Sequence, residues 1–285
     1  MILVTGATGT IGRRLVPLLA ARAIPVRAMT RNPEGIPPTA GVDVVRGDFD
    51  DPASLAAAVA GADTVFLLTA PAAPSARHDL ALLDAARAAG VRVVRLSAIG
   101  TGQPHGEGTV GAAHDVADQA VRASGLDWTL LRPTTFASNT LWWADAIRAG
   151  VPVPNLLGDG RQGIVDPDDV AAVAALVLAS PGPDHTGRVY TLTGPELLSV
   201  PDQAAILAAA LGRPVGLIDT LPAVAGERMR ADGMDPAAVE QIVTGSSWAR
   251  AGHNAILTDG VAAVVGRPPT PFATWVDRNL ARFAA

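Results

Sequence analysis

Three glycines, Gly6, Gly9 and Gly12, fall within the run Val4-Thr5-Gly6-Ala7-Thr8-Gly9-Thr10-Ile11-Gly12, after a short apolar stretch and before an amphipathic one. In that setting the first glycine permits a tight turn, and the second lets backbone approach a pyrophosphate. The third lets a helix pack closely on the preceding strand. The helix amino end that opens near Ile11 directs free N–H groups and about half a positive charge at the anion. Thr8 and Thr10 add hydroxyl donors. The spacing therefore predicts a dinucleotide site at the first strand–helix junction. Further along, Met29-Thr30-Arg31-Asn32 ends the expected second strand with a cation where NAD-binding chains usually place an acid. A guanidinium there suits a ribose 2′-phosphate, a solvated surface arginine being the other reading. The expected cofactor is NADP(H).

Proton chemistry is constrained by what the chain lacks. It contains no lysine and no cysteine, and its one tyrosine is Tyr190. Disulfides, thiolate metal sites and any lysine-dependent mechanism are excluded. His114 and Asp118 are four residues apart, which puts both on one helical face. His114 is the candidate proton donor or substrate-orienting group, tuned by Asp118; a solvated histidine beside a solvated carboxylate is the other reading. Ser97, at a strand end, either bonds a substrate carbonyl or satisfies nearby backbone. His78, His105, His185 and His253 show no ligand spacing, so no metal site is expected. Trp142, Trp143 and Trp248 are candidate walls for a flat substrate, or core of a smaller lobe. Hydride transfer to an iminium or a conjugated quinone needs no side-chain acid, because the cofactor carries the difficult step.

The elements that must position these groups alternate from the first residue. Strands are expected at Met1–Thr5, Val26–Thr30, Val42–Arg46, Thr64–Thr69, Val91–Ser97 and Trp128–Leu131. Helices are expected at Thr10–Ala21, after an Asp51 cap, at Ala76–Ala89 before Gly90, and at Gly111–Ala123, with a glycine-rich loop over Gly100–Gly108. Such repetition predicts an α/β fold, a doubly wound parallel Rossmann sheet with a small C-terminal substrate lobe. The expected division is a dinucleotide-binding core over 1–155 and a mixed region over 156–285 that returns to the sheet and forms the lobe.

Hydrophobic residues make up 49% of the 285, enough for a large core, and the net charge of −5 comes without any basic run. Nucleic acid is therefore not the expected partner. No apolar run reaches the roughly 20 residues that span a bilayer, and no leader pattern opens the chain. The expectation is a cytoplasmic monomer or homodimer acting on a small molecule.

Beyond the glycine run, Thr30-Arg31-Asn32-Pro33, Gly47-Asp48-Phe49, Ser124-Gly125-Leu126-Asp127-Trp128-Thr129-Leu130-Leu131-Arg132-Pro133, Tyr190-Thr191-Leu192-Thr193-Gly194-Pro195-Glu196 and Gly266-Arg267-Pro268-Pro269-Thr270-Pro271-Phe272 resemble the NmrA-like, atypical short-chain dehydrogenases/reductases. The resemblance spans nearly the whole chain and is diffuse over 222–251. It implies that Asp48 and Phe49 border the adenine, and that Thr69, Ala70 and Pro71 pass under the ribose and pyrophosphate. It also implies Ser97 and Ala98 near the nicotinamide, with Pro133, Thr134, Thr135 and Phe136 at its far edge. Typical short-chain reductases use a Tyr-x-x-x-Lys pair, which this chain cannot form. Two activities follow from the resemblance: an NADPH-dependent reductase of a small aromatic or conjugated carbonyl, quinone or imine, or a non-catalytic NADP(H) sensor. A third, an epimerase or dehydratase on a nucleotide sugar, is weakened by the missing pair.

Overall fold

Each apolar run of the first half becomes a strand and each amphipathic stretch a helix. The computed structural model describes residues 1–69, 75–180 and 182–284. In chain order come β1 (Ile2–Val4), α1 (Gly12–Ala20), β2 (Val26–Thr30), β3 (Val42–Arg46), α2 (Pro52–Val59), β4 (Thr64–Leu67), α3 (Arg77–Ala89) and β5 (Arg92–Leu96). The two-residue strands β6 (Pro104–His105) and β7 (Gly108–Thr109) precede α4 (Ala112–Arg122) and β8 (Trp128–Pro133). Next are α5 (Ala144–Ala149), β9 (Val153–Asn155), α6 (Pro167–Ala179), β10 (Arg188–Leu192), α7 (Val200–Leu211) and β11 (Leu217–Asp219). Helices α8 (Pro222–Ala231), α9 (Pro236–Arg250), α10 (Gly260–Val265) and α11 (Phe272–Asn279) complete the described chain.

The described residues form two compact units. The first comprises Met1–Ala98, Ala113–Arg132 and Asp168–Thr191; the second comprises Ile99–Ala112, Pro133–Pro167 and Leu192–Ala285. The chain passes between the two units several times, and residues 168–191, within the region expected to return to the sheet, belong with it.

In the first unit the strand order is β10-β8-β5-β4-β1-β2-β3. The pairs β1–β2, β1–β4, β2–β3, β4–β5 and β5–β8 are all parallel. The order reverses between β1 and β4, the doubly wound arrangement expected from the sequence. Alternation across the pleat divides the strand residues between two faces. Leu3, Val65, Leu67, Val93 and Leu130 pack with Leu55 and Val59 of α2, Leu82 and Leu83 of α3, and Val121 of α4. On the opposite face Arg92 donates to the Val177 carbonyl of α6, and Arg14 of α1 pairs with Asp168 of α6. Both faces are thus covered, so the strands are buried on each side. Each fully buried Leu or Val contributes about 1.5–3 kcal/mol relative to exposure.

Local signals set the ends of these elements. Asp51 caps α2, accepting hydrogen bonds from the N–H groups of Ala53 and Ser54, with Pro52 in the first helical turn. Gly90 ends α3 in the left-handed region at φ +66°.

The second unit has its own core, in which Phe272 and Trp275 stack with centroids 5.8 Å apart, joined by Ile147, Leu207 and Phe283. Strands β9 and β11 pair in parallel there. The glycine-rich stretch expected as a plain loop contains the β6–β7 hairpin, because Gly106 at φ +59° supplies the positive φ that a two-residue turn needs. No described helix is long and apolar enough to cross a membrane.

Candidate functional site

At the carboxyl end of β1 the chain turns at Gly6, whose φ of +59° favours glycine. The Gly9 N–H donates to the Gly6 carbonyl at 2.9 Å, and the Arg13 N–H to the Gly9 carbonyl at 3.1 Å. Gly12 lies so close to this turn that a Cβ there would sit 2.1 Å from the Gly6 oxygen and 2.6 Å from the Ala7 Cα. The third glycine of the run therefore does what its spacing predicted, seating the helix against the loop. The N–H groups of Thr10, Ile11 and Gly12 find no acceptor among the described residues. Helix α1 has no side-chain cap and no acid in its first turn. Unmade backbone hydrogen bonds at a partly buried helix start are costly without a ligand, and an anion fits them. The Thr5 hydroxyl donates to the Phe66 carbonyl at 3.0 Å and accepts from the Leu68 N–H at 2.9 Å, which ties β1 to β4 at the point where strand order reverses.

Around that turn, Arg31 is exposed at the end of β2 and makes no ion pair among the described residues. Asp48 accepts from the Asp50 N–H at 3.1 Å, the turn contact a loop carboxylate makes. Phe49 packs against the α2–α3 side of the core and stacks on His78, centroids 5.3 Å apart. Thr69 donates to Asp79 at 2.9 Å. Ala70 and Pro71 lie outside the described residues.

Between β5, β8 and the helices α3 and α4 lies a polar cluster whose arginines the sequence did not announce. Arg95, 1% exposed, donates through Nε to Asp79 at 3.0 Å and through Nη1 to Asp118. Its Nη2 donates to His114 Nδ1 at 3.1 Å. Asp118, also 1% exposed, further accepts from Ser97 Oγ at 2.9 Å and from Arg132 Nη2 at 2.7 Å. Two guanidinium groups and two carboxylates balance, and each buried charge has hydrogen-bonded partners of opposite sign. His114 and Asp118 do share a helical face, yet Asp118 bonds Arg95, Arg132 and Ser97, and the histidine's direct partner is Arg95. Burial, then the Arg95 charge, holds the His114 pKa below its ordinary value. The Ser97 proton is directed at Asp118, which leaves that hydroxyl a poor donor to a substrate carbonyl.

The profile of a family described as NAD(P)H-binding matches residues 6–181. The chain belongs to the NAD(P)H-binding family. A (4-alkanoyl-5-oxo-2,5-dihydrofuran-3-yl)methyl phosphate reductase of Streptomyces griseus is 40% identical to it, covering 100% of this chain and 99% of the relative. An NAD(P)H azoreductase of Xenophilus azovorans is 34% identical over the full length of both. Among solved structures, an NADPH-dependent quinone oxidoreductase from Escherichia coli complexed with NADPH superposes with a TM-score of 0.83. That pair is 25% identical, covering 98% of this chain and 100% of the other. The resemblance to NmrA-like, atypical short-chain dehydrogenases/reductases is borne out, and this member of the NAD(P)H-binding family is an oxidoreductase.

For a member of that family, the remaining candidates fall in the second unit. Thr134 donates through its hydroxyl to the Gly163 carbonyl and through its N–H to Leu192 at 2.9 Å, so its polar groups serve the fold. Pro133 is buried, and Phe136 is half-buried beside a bridge to Val165. Thr135 donates to Gln162. The three tryptophans do not share one setting. Trp142 is 81% exposed, Trp143 packs partly into the Phe272–Trp275 core, and Trp248 is buried with Val110 and Ala249. Tyr190, in the first unit, bonds His185 Nδ1 at 2.8 Å, away from any amine because the chain has no lysine. No cluster of potential metal ligands occurs among the described residues.

Proposed function

We propose that this oxidoreductase uses NADPH to reduce a small conjugated acceptor, an unsaturated carbonyl, a quinone or an imine, without a tyrosine–lysine acid. The observation that carries the reading is the pairing of two features of the sheet-bearing unit. N–H groups at the start of α1 are open to an anion, while a charge-balanced cluster holding no phenol and no ammonium is held between β5, β8, α3 and α4. When bound, the cofactor supplies hydride from its reduced nicotinamide. The chain's own part is to hold the pyrophosphate at Thr10, Ile11 and Gly12, to contact a 2′-phosphate through Arg31, and to orient the acceptor beside His114. The roles that the resemblance implies for Asp48, Phe49, Thr69, Ser97, Pro133, Thr134 and Phe136 at the cofactor belong to the same proposal, as do those of the aromatic side chains Phe136, Trp142, Trp143 and Trp248 as walls for the acceptor.

Relatives point the same way, since the acceptors in their names are an unsaturated lactone phosphate and an azo compound. An acceptor of either kind can take up hydride without a strong side-chain acid, because the cofactor carries the difficult step. We place the chain in the cytoplasm as a monomer or homodimer, which light scattering on the purified protein would check. The activity is tested by following NADPH consumption with a panel of conjugated lactones, quinones, azo compounds and imines. Steady turnover with at least one class is expected. Tight NADPH binding without turnover of any of them would replace the enzyme by a sensor.

A further inference from the structure

A guanidinium has only donors to offer. The 3.1 Å contact between Arg95 Nη2 and His114 Nδ1 therefore requires the ring nitrogen to present its lone pair. We infer that Arg95 fixes His114 in one tautomer, with Nδ1 as acceptor and Nε2–H as the donor offered to the acceptor molecule, an inference that rests on the reductase reading.

The guanidinium cannot turn to release the ring. Its Nε and Nη2 are held by Asp79, at 3.0 and 2.9 Å, and its Nη1 by Asp118. Asp79 is in turn fixed by Thr69, and Asp118 by Ser97 and Arg132. The charged groups that face His114 come from every element around it: Arg95 from β5, Arg132 from β8, Asp79 from α3 and Asp118 from α4 itself. They cancel in sign, and both carboxylates already accept hydrogen bonds from arginines, so neither is placed to pull a second proton onto the imidazole. Burial adds a penalty on the charged ring. Nε2 has no hydrogen-bond partner among the described residues, although His114 is only half-buried. A donor held in one orientation, open to solvent and bonded to no described residue, suits a ligand oxygen or nitrogen.

The chemistry that follows is a division of labour. When bound, a reduced nicotinamide would supply the hydride, two electrons and one hydrogen, that the acceptor carbon takes up. The negative charge moves to the conjugated oxygen or nitrogen, where the neutral Nε2–H stabilises it without transferring its proton. Water then protonates the reduced product and leaves as hydroxide. Arg95 is on this account a positioning residue, acting through His114.

The decisive measurement uses the intact protein with neither cofactor nor acceptor. Histidine labelled with ¹⁵N is followed by long-range proton–nitrogen correlation from about pH 8 to about pH 5.5, with His114 assigned by the signals lost in His114→Gln. A bare Nδ1 and protonated Nε2 are expected wherever the ring is neutral, with ionisation below the ordinary histidine range. An imidazolium near pH 6.5, or the opposite tautomer, would overturn the inference. Because this reading is independent of turnover, it stands or falls separately from the proposed activity. With an acceptor in hand, His114→Gln, which keeps an N–H donor, should lose about tenfold in kcat, and His114→Phe on the order of 10²-fold. Wild-type kcat should show no limb near the ordinary histidine pKa; a limb that disappears in His114→Gln would show an ionising acid and refute the tautomer.

Discussion

Replacing Gly12 with alanine tests the cofactor cradle most directly. The new Cβ would fall 1.3 Å short of the 3.4 Å at which ordinary contact begins, against the Gly6 oxygen at 2.1 Å. Its two other near neighbours, Ala7 Cα and Gly6 C, are backbone as well, so no side chain can swing aside. Either the loop lifts or α1 slides. Overpacking of this kind costs about 1–3 kcal/mol, a fall in Tm of about 2–6 °C for a chain of this size. The same displacement moves the Thr10, Ile11 and Gly12 N–H groups off the anion. Loss of one hydrogen bond to a charged group, about 1.5–3 kcal/mol, raises Kd for NADPH by about 10–150-fold. Gly9→Ala is the internal control: its Cβ meets only the Gly6 oxygen, at 3.2 Å, and its φ lies outside the left-handed region. That variant should keep the melting temperature of the free protein while binding NADPH less tightly, because its backbone approaches the pyrophosphate. Titration calorimetry and scanning calorimetry on the free proteins supply both numbers. A Gly12→Ala protein that melts with wild type and binds NADPH within about threefold of it would refute the account of the loop.

Three further outcomes are expected. Arg31→Ala should weaken NADPH binding by about 10–150-fold with NADH little changed, and stability should hold because the side chain is exposed; equal losses for both cofactors would remove its role at the 2′-phosphate. Asp118→Asn leaves Arg95 and Arg132 short of a buried anion and should cost about 3–5 kcal/mol, read as a lowered midpoint in urea. Acid should destabilise the fold through His114, whose native pKa lies below the ordinary 6.5. Below that pH the unfolded chain takes up a proton that the native ring refuses, so stability is complete above about pH 6.5 and declines toward the depressed native pKa. The slope per group is at most about 1.4 kcal/mol per pH unit. His185, also lowered chiefly by burial, contributes in the same direction. Urea unfolding across this range should show the decline, and a His114→Gln series with an unchanged slope would argue against the histidine as a source.

The glycine turn after β1 was legible because its residues are neighbours in sequence and their types are dictated by backbone geometry. The same holds for β2 and β3, found at the expected residues, and for the Asp51 and Gly90 caps. The polar cluster was not legible, since Asp79, Arg95, Asp118 and Arg132 come from four elements and meet only through the sheet. A signal did exist. Strand β5 reads Arg-Val-Val-Arg-Leu within a sheet expected to be covered on both faces, and a buried arginine must have a partner. Asking where Arg95 finds its carboxylates would have led to Asp79 and Asp118, the buried acids on the helices before and after the strand. The second unit was less legible, because its strands are two or three residues long and its packing depends on residues far apart in the chain.

The place of β10 at the rim of the sheet has a consequence for how the protein is made. Its residues, Arg188–Leu192, leave the ribosome 59 positions after β8 ends at Pro133. At about 5–20 residues per second, the outer backbone of β8 waits roughly 3–12 seconds for its neighbour. During synthesis that strand can recruit a second nascent chain in place of its own missing one. Crowded translation of this message would therefore favour aggregation at β8, long after the glycine turn between β1 and α1 has been made.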